Sequence, residues 1–183
     1  TEKLIDLLLT AIERAEAVIR GKNPNLSEEE VKSLSKVIGI SAVKYADLSN
    51  HRASDYQFSY DKMLRFEGNT APYLLYAYVR CRSIERQSEK KASSHITLNH
   101  PQEFSLALKL TQFIDLLHLV EKDLTPHRLT EYLYELSDQF SAFFRDCRVI
   151  GSPEEESRLA LVSLVGRTLK QGLNLLGIQT VEK

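Results

Sequence analysis

The stretch LTEYLYELSDQFSAFF, residues 129–144, decides the fold. At helical geometry Leu129, Tyr132, Leu133, Leu136, Phe140 and Phe143 fall within an arc of about 100°. An apolar face of that width has to be buried against other helices, so the segment predicts a bundle.

The neighbouring segments carry the same period. Residues 104–120 are apolar at helical spacing and predict one helix ending before Thr125 and Pro126. On the other side, SPEE at 152–155 offers an N-cap serine, a proline for the first helical position and a capping-box glutamate. A last helix is predicted from there to Leu176, with Gly177 as its left-handed cap. Its residues Leu159, Val162, Gly166, Leu169, Leu173 and Leu176 form one stripe, and Leu161, Leu164 and Leu175 a second on the opposite side, which predicts a helix sandwiched inside the bundle.

Towards the start, Leu4, Leu7, Leu8, Ala11, Ile12, Ala15, Val18 and Ile19 share a helix face that Gly21 and Pro24 end. Thr1 to Leu4 already follow that helical pattern without an initiating Met, which reads as the start of a fragment. Ser27 with Glu30 makes a capping box for a helix to about residue 38, and a short second helix follows Gly39 through residues 42–48. Periodicity fails over residues 49–68, where Tyr56, Phe58 and Tyr60 alternate with polar residues as an extended segment does. Thr70, Ala71 and Pro72 then open a helix to about residue 91, followed by a polar loop to residue 99. The expected fold is all-α: a helical bundle of four main helices over 69–183, preceded by a smaller, mostly helical segment over 1–68.

Composition sets bounds on function. Lys and Arg number 24 against 25 Asp and Glu, so the net charge of −1 carries no overall signal for nucleic acid, and any RNA contact must come from local patches. Cys81 and Cys147 lack partners at metal spacing and read as reduced thiols. No apolar run is long enough to cross a bilayer. Asp115 and His118 lie three apart, but the second such pair and the further carboxylates of a di-iron site are missing, so a polar helix face is the reading. His51, His95, His100 and His127 are scattered and read as surface groups or caps. With no phosphate-binding glycine loop, nucleophile elbow or dinucleotide motif, the segment is expected to catalyse nothing by itself.

One family resemblance is dense and ordered. AVKYADL at 42–48, Arg52, SDYQF at 54–58 and FEGNTAPYLLYAYVR at 66–80 resemble the passage from the catalytic domain into the anticodon-binding domain of arginyl-tRNA synthetases. PHRL at 126–129, YLYEL at 132–136, SRLAL at 157–161, LKQG at 169–172 and LLGI at 175–178 resemble the helices and closing tail of that family's DALR-type domain. The resemblance implies that residues 1–68 are the tail of the catalytic region, meeting the inner corner of the tRNA, and that 69–183 are the anticodon-binding domain. The family's HIGH-type ATP motif and KMSKS-like lysine loop are not in this sequence. The implied whole enzyme attaches arginine to its tRNA with ATP and Mg²⁺, while the segment itself needs no cofactor. Its implied partners are the anticodon stem-loop of arginine tRNA and the N-terminal and catalytic domains of the same chain. Leu4 and Leu8 are expected to face those domains, and neither a membrane nor DNA is expected as a partner. The expected compartment is the cytoplasm, an organellar parent staying open.

On the helix from Ala71, Tyr73, Tyr76 and Arg80 fall within an arc of about 60°. Rings and a guanidinium on one strip suit splayed-out bases, which stack on such planes. Periodicity alone favours packing the tyrosines in the core, and the resemblance, which implies that the anticodon loop docks here, reverses that. Arg82 and Arg86 extend the helix with positive charge that can track phosphates. Phe144, Arg145 and Arg148 complete the expected RNA-binding set, with Phe144 where the family can present an aromatic and Arg148 where some members carry one. The family often has Gln where Leu75 stands, and typically closes with a Met one residue beyond Lys183. The competing reading is a helical scaffold that binds protein partners without RNA.

Overall fold

The computed structural model describes residues 3–182. Thr1, Glu2 and Lys183 lie outside the described residues, and so do the helical start expected at Thr1 and the close expected at Lys183. In chain order the helices are α1 (Leu4–Lys22), α2 (Glu28–Leu48), α3 (Tyr60–Met63), α4 (Ala71–Gln87), α5 (Pro101–Thr111), α6 (Phe113–Asp123), α7 (Pro126–Asp146) and α8 (Glu155–Leu175). The fold among the described residues is all-α.

Helix α7 is the axis of the bundle. Leu129, Tyr132, Leu133, Leu136, Phe140 and Phe143 are all buried, as the period demands. Helix α8 supplies Leu159, Val162, Leu169 and Leu173 to the same core and ends in the expected glycine cap. Gly177 has φ +69° and donates its N–H to Asn174 C=O at 2.9 Å, while Ile178 N–H reaches Leu173 C=O at 2.9 Å, which satisfies two terminal carbonyls. Ile178 is thereby buried, and residues 178–182 run back along α4.

The core is continuous across residue 68. Tyr45 of α2 is buried, with its hydroxyl within reach of Asn69 Oδ1 and, at 2.9 Å, of the Thr130 carbonyl on α7.

Several expectations are corrected by tertiary contacts. Helix α2 is uninterrupted where two helices divided at Gly39 were expected. The glycine is there for a close crossing: a Cβ at Gly39 would stand 2.7 Å from Ile12 Cα and 2.8 Å from its amide nitrogen. Backbone atoms cannot move aside cheaply, so Gly39→Ala is expected to destabilise the fold by about 1–3 kcal/mol, read as a lowered thermal midpoint.

The single helix expected over 104–120 is two, α5 and α6, divided at Gln112, so the bundle has five main helices after residue 69 rather than four. At the break the Lys109 carbonyl accepts the Tyr132 hydroxyl at 2.7 Å beside the Gln112 amide at 3.2 Å, and the Phe113 ring packs on Tyr132. Helix α5 also begins earlier than read, at Pro101. His100 caps it through Nδ1, and Glu103 reaches back to the His100 amide at 3.0 Å.

Helix α4 stops at Gln87, short of residue 91, because Ser88 turns extended and donates its hydroxyl to Glu155. Helix α8 starts at Glu155 without the predicted capping box: the Ser152 hydroxyl donates to Val149 C=O, and Glu155 accepts the Gly151 amide instead. The second stripe of α8 is incomplete, with Leu161 buried, Leu164 half-buried and Leu175 53% exposed. Within 49–68, Tyr56 and Phe58 are non-helical as read, but Tyr60 opens the short α3, capped by Ser59.

Candidate nucleic-acid interface

Tyr76 and Arg80 are one helical turn apart on the outer side of α4, so their side chains meet. Arg80 Nη2 donates to the Tyr76 hydroxyl at 2.6 Å, and its Cζ lies 4.6 Å from the Tyr76 ring centre. The same guanidinium lies 4.8 Å from the ring centre of Phe144, which α7 brings across from 64 residues further along the chain. Tyr76 is 48% and Phe144 42% exposed. One cation thus joins two half-exposed rings, an arrangement that pre-orients three flat groups at low entropic cost.

Arg80 and Phe144 line a cleft of about 520 Å³. One wall is the strip of α4 carrying Arg80, Ser83, Ile84 and Gln87; the other is the end of α7 and the loop through Ile150, with Phe144, Arg145 and Arg148. Ser83 and Gln87 were missed in the sequence, although their spacing of three and seven from Arg80 places them on its strip. They are joined by a 2.9 Å bond from Gln87 Nε2 to Ser83 Oγ. Arg145 is exposed and paired with its neighbour Asp146, whose carboxyl its hydrogen bonds hold below the usual range. Arg148 folds back on its own loop, Nε donating to Ile150 C=O at 2.9 Å.

The other expected residues lie apart from this cluster. Tyr73 is half-buried, because α7 crosses the N-terminal end of the strip. Its hydroxyl lies 3.2 Å from Ser141 Oγ and its ring leans on Tyr134. Arg82 and Arg86 face the returning tail: Arg82 pairs with Glu85 and, at 3.4 Å, with Glu182, and Arg86 donates to the Glu182 carbonyl at 3.1 Å. The Tyr78 hydroxyl and Arg82 hold the Glu182 carboxyl below its ordinary range. Leu75 is buried, facing the α1–α2 side. A second, more apolar groove of about 650 Å³ lies there, lined by Phe66, Leu75, Tyr76, Val79 and Val181 among others, so Tyr76 lines this groove while its partners Arg80 and Phe144 line the cleft.

Residues 74–183 match the family described as DALR anticodon binding domain, and residues 1–60 the one described as tRNA synthetases class I (R), catalytic domain. The chain is 51% identical over all its length to an arginine–tRNA ligase of Protochlamydia amoebophila, covering 32% of that protein. To the one of Pseudomonas fluorescens it is 52% identical, again over its whole length and over 33% of the relative. It therefore spans about a third of the length of the curated relatives it matches. Among solved structures, the arginyl-tRNA synthetase of Thermus thermophilus superposes with a TM-score of 0.92 at 30% identity, over 100% of this chain and 32% of that one. That of Plasmodium falciparum gives 0.91 at 37% identity, over 99% and 33%. The chain belongs to the DALR anticodon binding domain family, in the form carried by the C-terminal region of arginyl-tRNA synthetases.

Proposed function

We propose that this chain binds the anticodon stem-loop of arginine tRNA, and that the enzyme it belongs to attaches arginine to that tRNA using ATP. The observation that carries the reading is the Arg80 guanidinium held against the rings of Tyr76 and Phe144 beside the cleft. Unpaired loop bases stack on such planes, and a duplex hides the faces they need. Arg145 and Arg148 line the cleft and would supply charge for the phosphates of a docked loop. Arg82 is already paired with the Glu182 carboxylate and Arg86 is drawn to the tail carbonyl, so their part is secondary. Tyr73 ties the N-terminal end of the strip to α7 through Ser141.

The two matched segments lie on either side of residue 68, which supports a division into a catalytic-region tail over 1–68 and an anticodon-binding domain over 69–183. On α1, Leu4 is 70% exposed and Ile5 and Leu9 are also bare, whereas Leu8 is half-buried; this apolar face suits the catalytic domain of the same chain. Mg²⁺ would accompany ATP in the whole enzyme. Among the described residues no three His, Cys, Asp or Glu are placed to hold a metal ion. No helix among them is long and apolar enough to cross a membrane. The compartment we propose is the cytoplasm, on the likeness to bacterial arginine–tRNA ligases.

The test is a titration of labelled anticodon stem-loop. Tyr76→Ala is expected to weaken binding by about 1–2 kcal/mol, the worth of one stacked base, with the circular dichroism spectrum unchanged. Affinity should also fall as salt rises. Binding that ignores Tyr76 contradicts the assignment.

A further inference from the structure

The cleft has two walls from distant parts of the chain, and one buried carboxylate touches the ends of both. Glu155 Oε1 accepts the Ser88 hydroxyl at 2.6 Å, and Ser88 is the residue at which α4 ends. Its Oε2 accepts the Gly151 amide at 2.9 Å, directly after the residues that form the opposite wall. The side chain is only 6% exposed and Lys90 Nζ stands 3.7 Å away. Glu155 lines no part of the cleft itself.

Resting on the RNA-binding reading above, we infer that Glu155 is a positioning residue, which holds the end of α4 and the 147–151 loop at the separation that admits a nucleotide. Gly151 shows why the loop end needs holding. Its φ of +75° places it in the left-handed region, and a Cβ there would come 3.2 Å from Arg148 Nη2, so the arginine rests across the glycine. Fixing the Gly151 amide therefore fixes the floor on which Arg148 lies. The Ser88 hydroxyl first, and then the Gly151 amide, keep the carboxyl below its ordinary range, so the clamp is charged throughout the neutral region.

The test measures affinity for the labelled anticodon stem-loop well below the unfolding temperature of every variant. Glu155→Ala is expected to lose about tenfold in affinity, the effect of a hydrogen bond to a charged group. Glu155→Gln retains an acceptor for Gly151 and a donor for Ser88, and is expected to restore most of the loss. Ser88→Ala removes one arm alone and is expected to cost about threefold without lowering the thermal midpoint. Because Glu155 acts through the cleft, its loss combined with Phe144→Ala should amount to less than the product of the two single effects. Wild-type affinity in Glu155→Ala beside a weakened Phe144→Ala, or losses that multiply in full, overturns the positioning role and leaves the RNA reading standing. Wild-type affinity in Phe144→Ala and Glu155→Ala alike overturns both.

Discussion

Arg80→Ala is expected to weaken binding of the anticodon stem-loop by about 2–3 kcal/mol, a larger loss than removing either ring alone. The guanidinium contacts both Tyr76 and Phe144, so its removal takes away one stacking plane and frees the two rings to rotate. Arg80→Lys separates charge from shape. Lysine keeps the positive charge but lacks the flat plane and the fork of donors, so it should recover only a small part of the affinity. Full recovery by lysine would mean that the site attracts phosphate rather than stacking bases. Arg80 is half-buried and makes no hydrogen bond into the core, so unfolding midpoints are expected to stay close to wild type.

The second large effect concerns stability. Arg158→Ala is expected to cost about 3–5 kcal/mol in urea unfolding, because it leaves the carboxylate of Glu103 buried without its counter-charge. The Glu103 side chain has no exposed surface, and Arg158 Nε donates to its Oε1 at 2.7 Å. Burial pushes the Glu103 carboxyl up, but the Arg158 hydrogen bond and the amides of Asn99 and His100 outweigh it, and the net direction is down. A lowered carboxyl stabilises the fold above its unfolded value of about 4.3, and that contribution disappears as pH falls through the folded value. The difference between wild type and Arg158→Ala should therefore be full at neutral pH and narrow below about pH 4. Arg158 also donates to the Arg148 carbonyl at 2.7 Å, so the same variant loosens the loop beside the cleft.

Much of the fold was legible in the sequence wherever a local rule coincided with the tertiary one. The α7 face was plain because its apolar period has no competing pattern, and Ser27 with Glu30 forms the capping box that its spacing announces. Misreadings arose where one residue type has two physical uses. Gly39 looks like a helix breaker, yet its missing side chain serves the approach of Ile12, a contact invisible in local sequence. Gln112 divides two helices although the apolar period continues through Leu110, Phe113 and Leu117, and the contacts at the break come from Tyr132 of α7, which is distant in sequence. Ser152 and Glu155 have the spacing of a cap, but their partners are Val149, Gly151 and Ser88.

The candidate site divides the same way. The pairing of Tyr76 with Arg80 follows from a four-residue spacing, whereas the arrival of Phe144 depends on how α7 crosses α4, and was reached only through family resemblance. The expected strip of Tyr73, Tyr76 and Arg80 assumed a bare helix, and α7 covers its first member. Arg82 and Arg86 carry the charge that was read, but the tail already engages both, Arg82 through the Glu182 carboxylate and Arg86 through the Glu182 backbone carbonyl.

The most direct test of the stacking cluster is a competition experiment. Labelled anticodon stem-loop bound to the chain is challenged with unlabelled stem-loop or with a fully paired RNA duplex of the same length and charge. Recognition by Tyr76, Arg80 and Phe144 predicts displacement by the stem-loop and little by the duplex, whose bases present no open faces. Equal displacement by both would contradict it, because the surface would then be reading backbone charge alone.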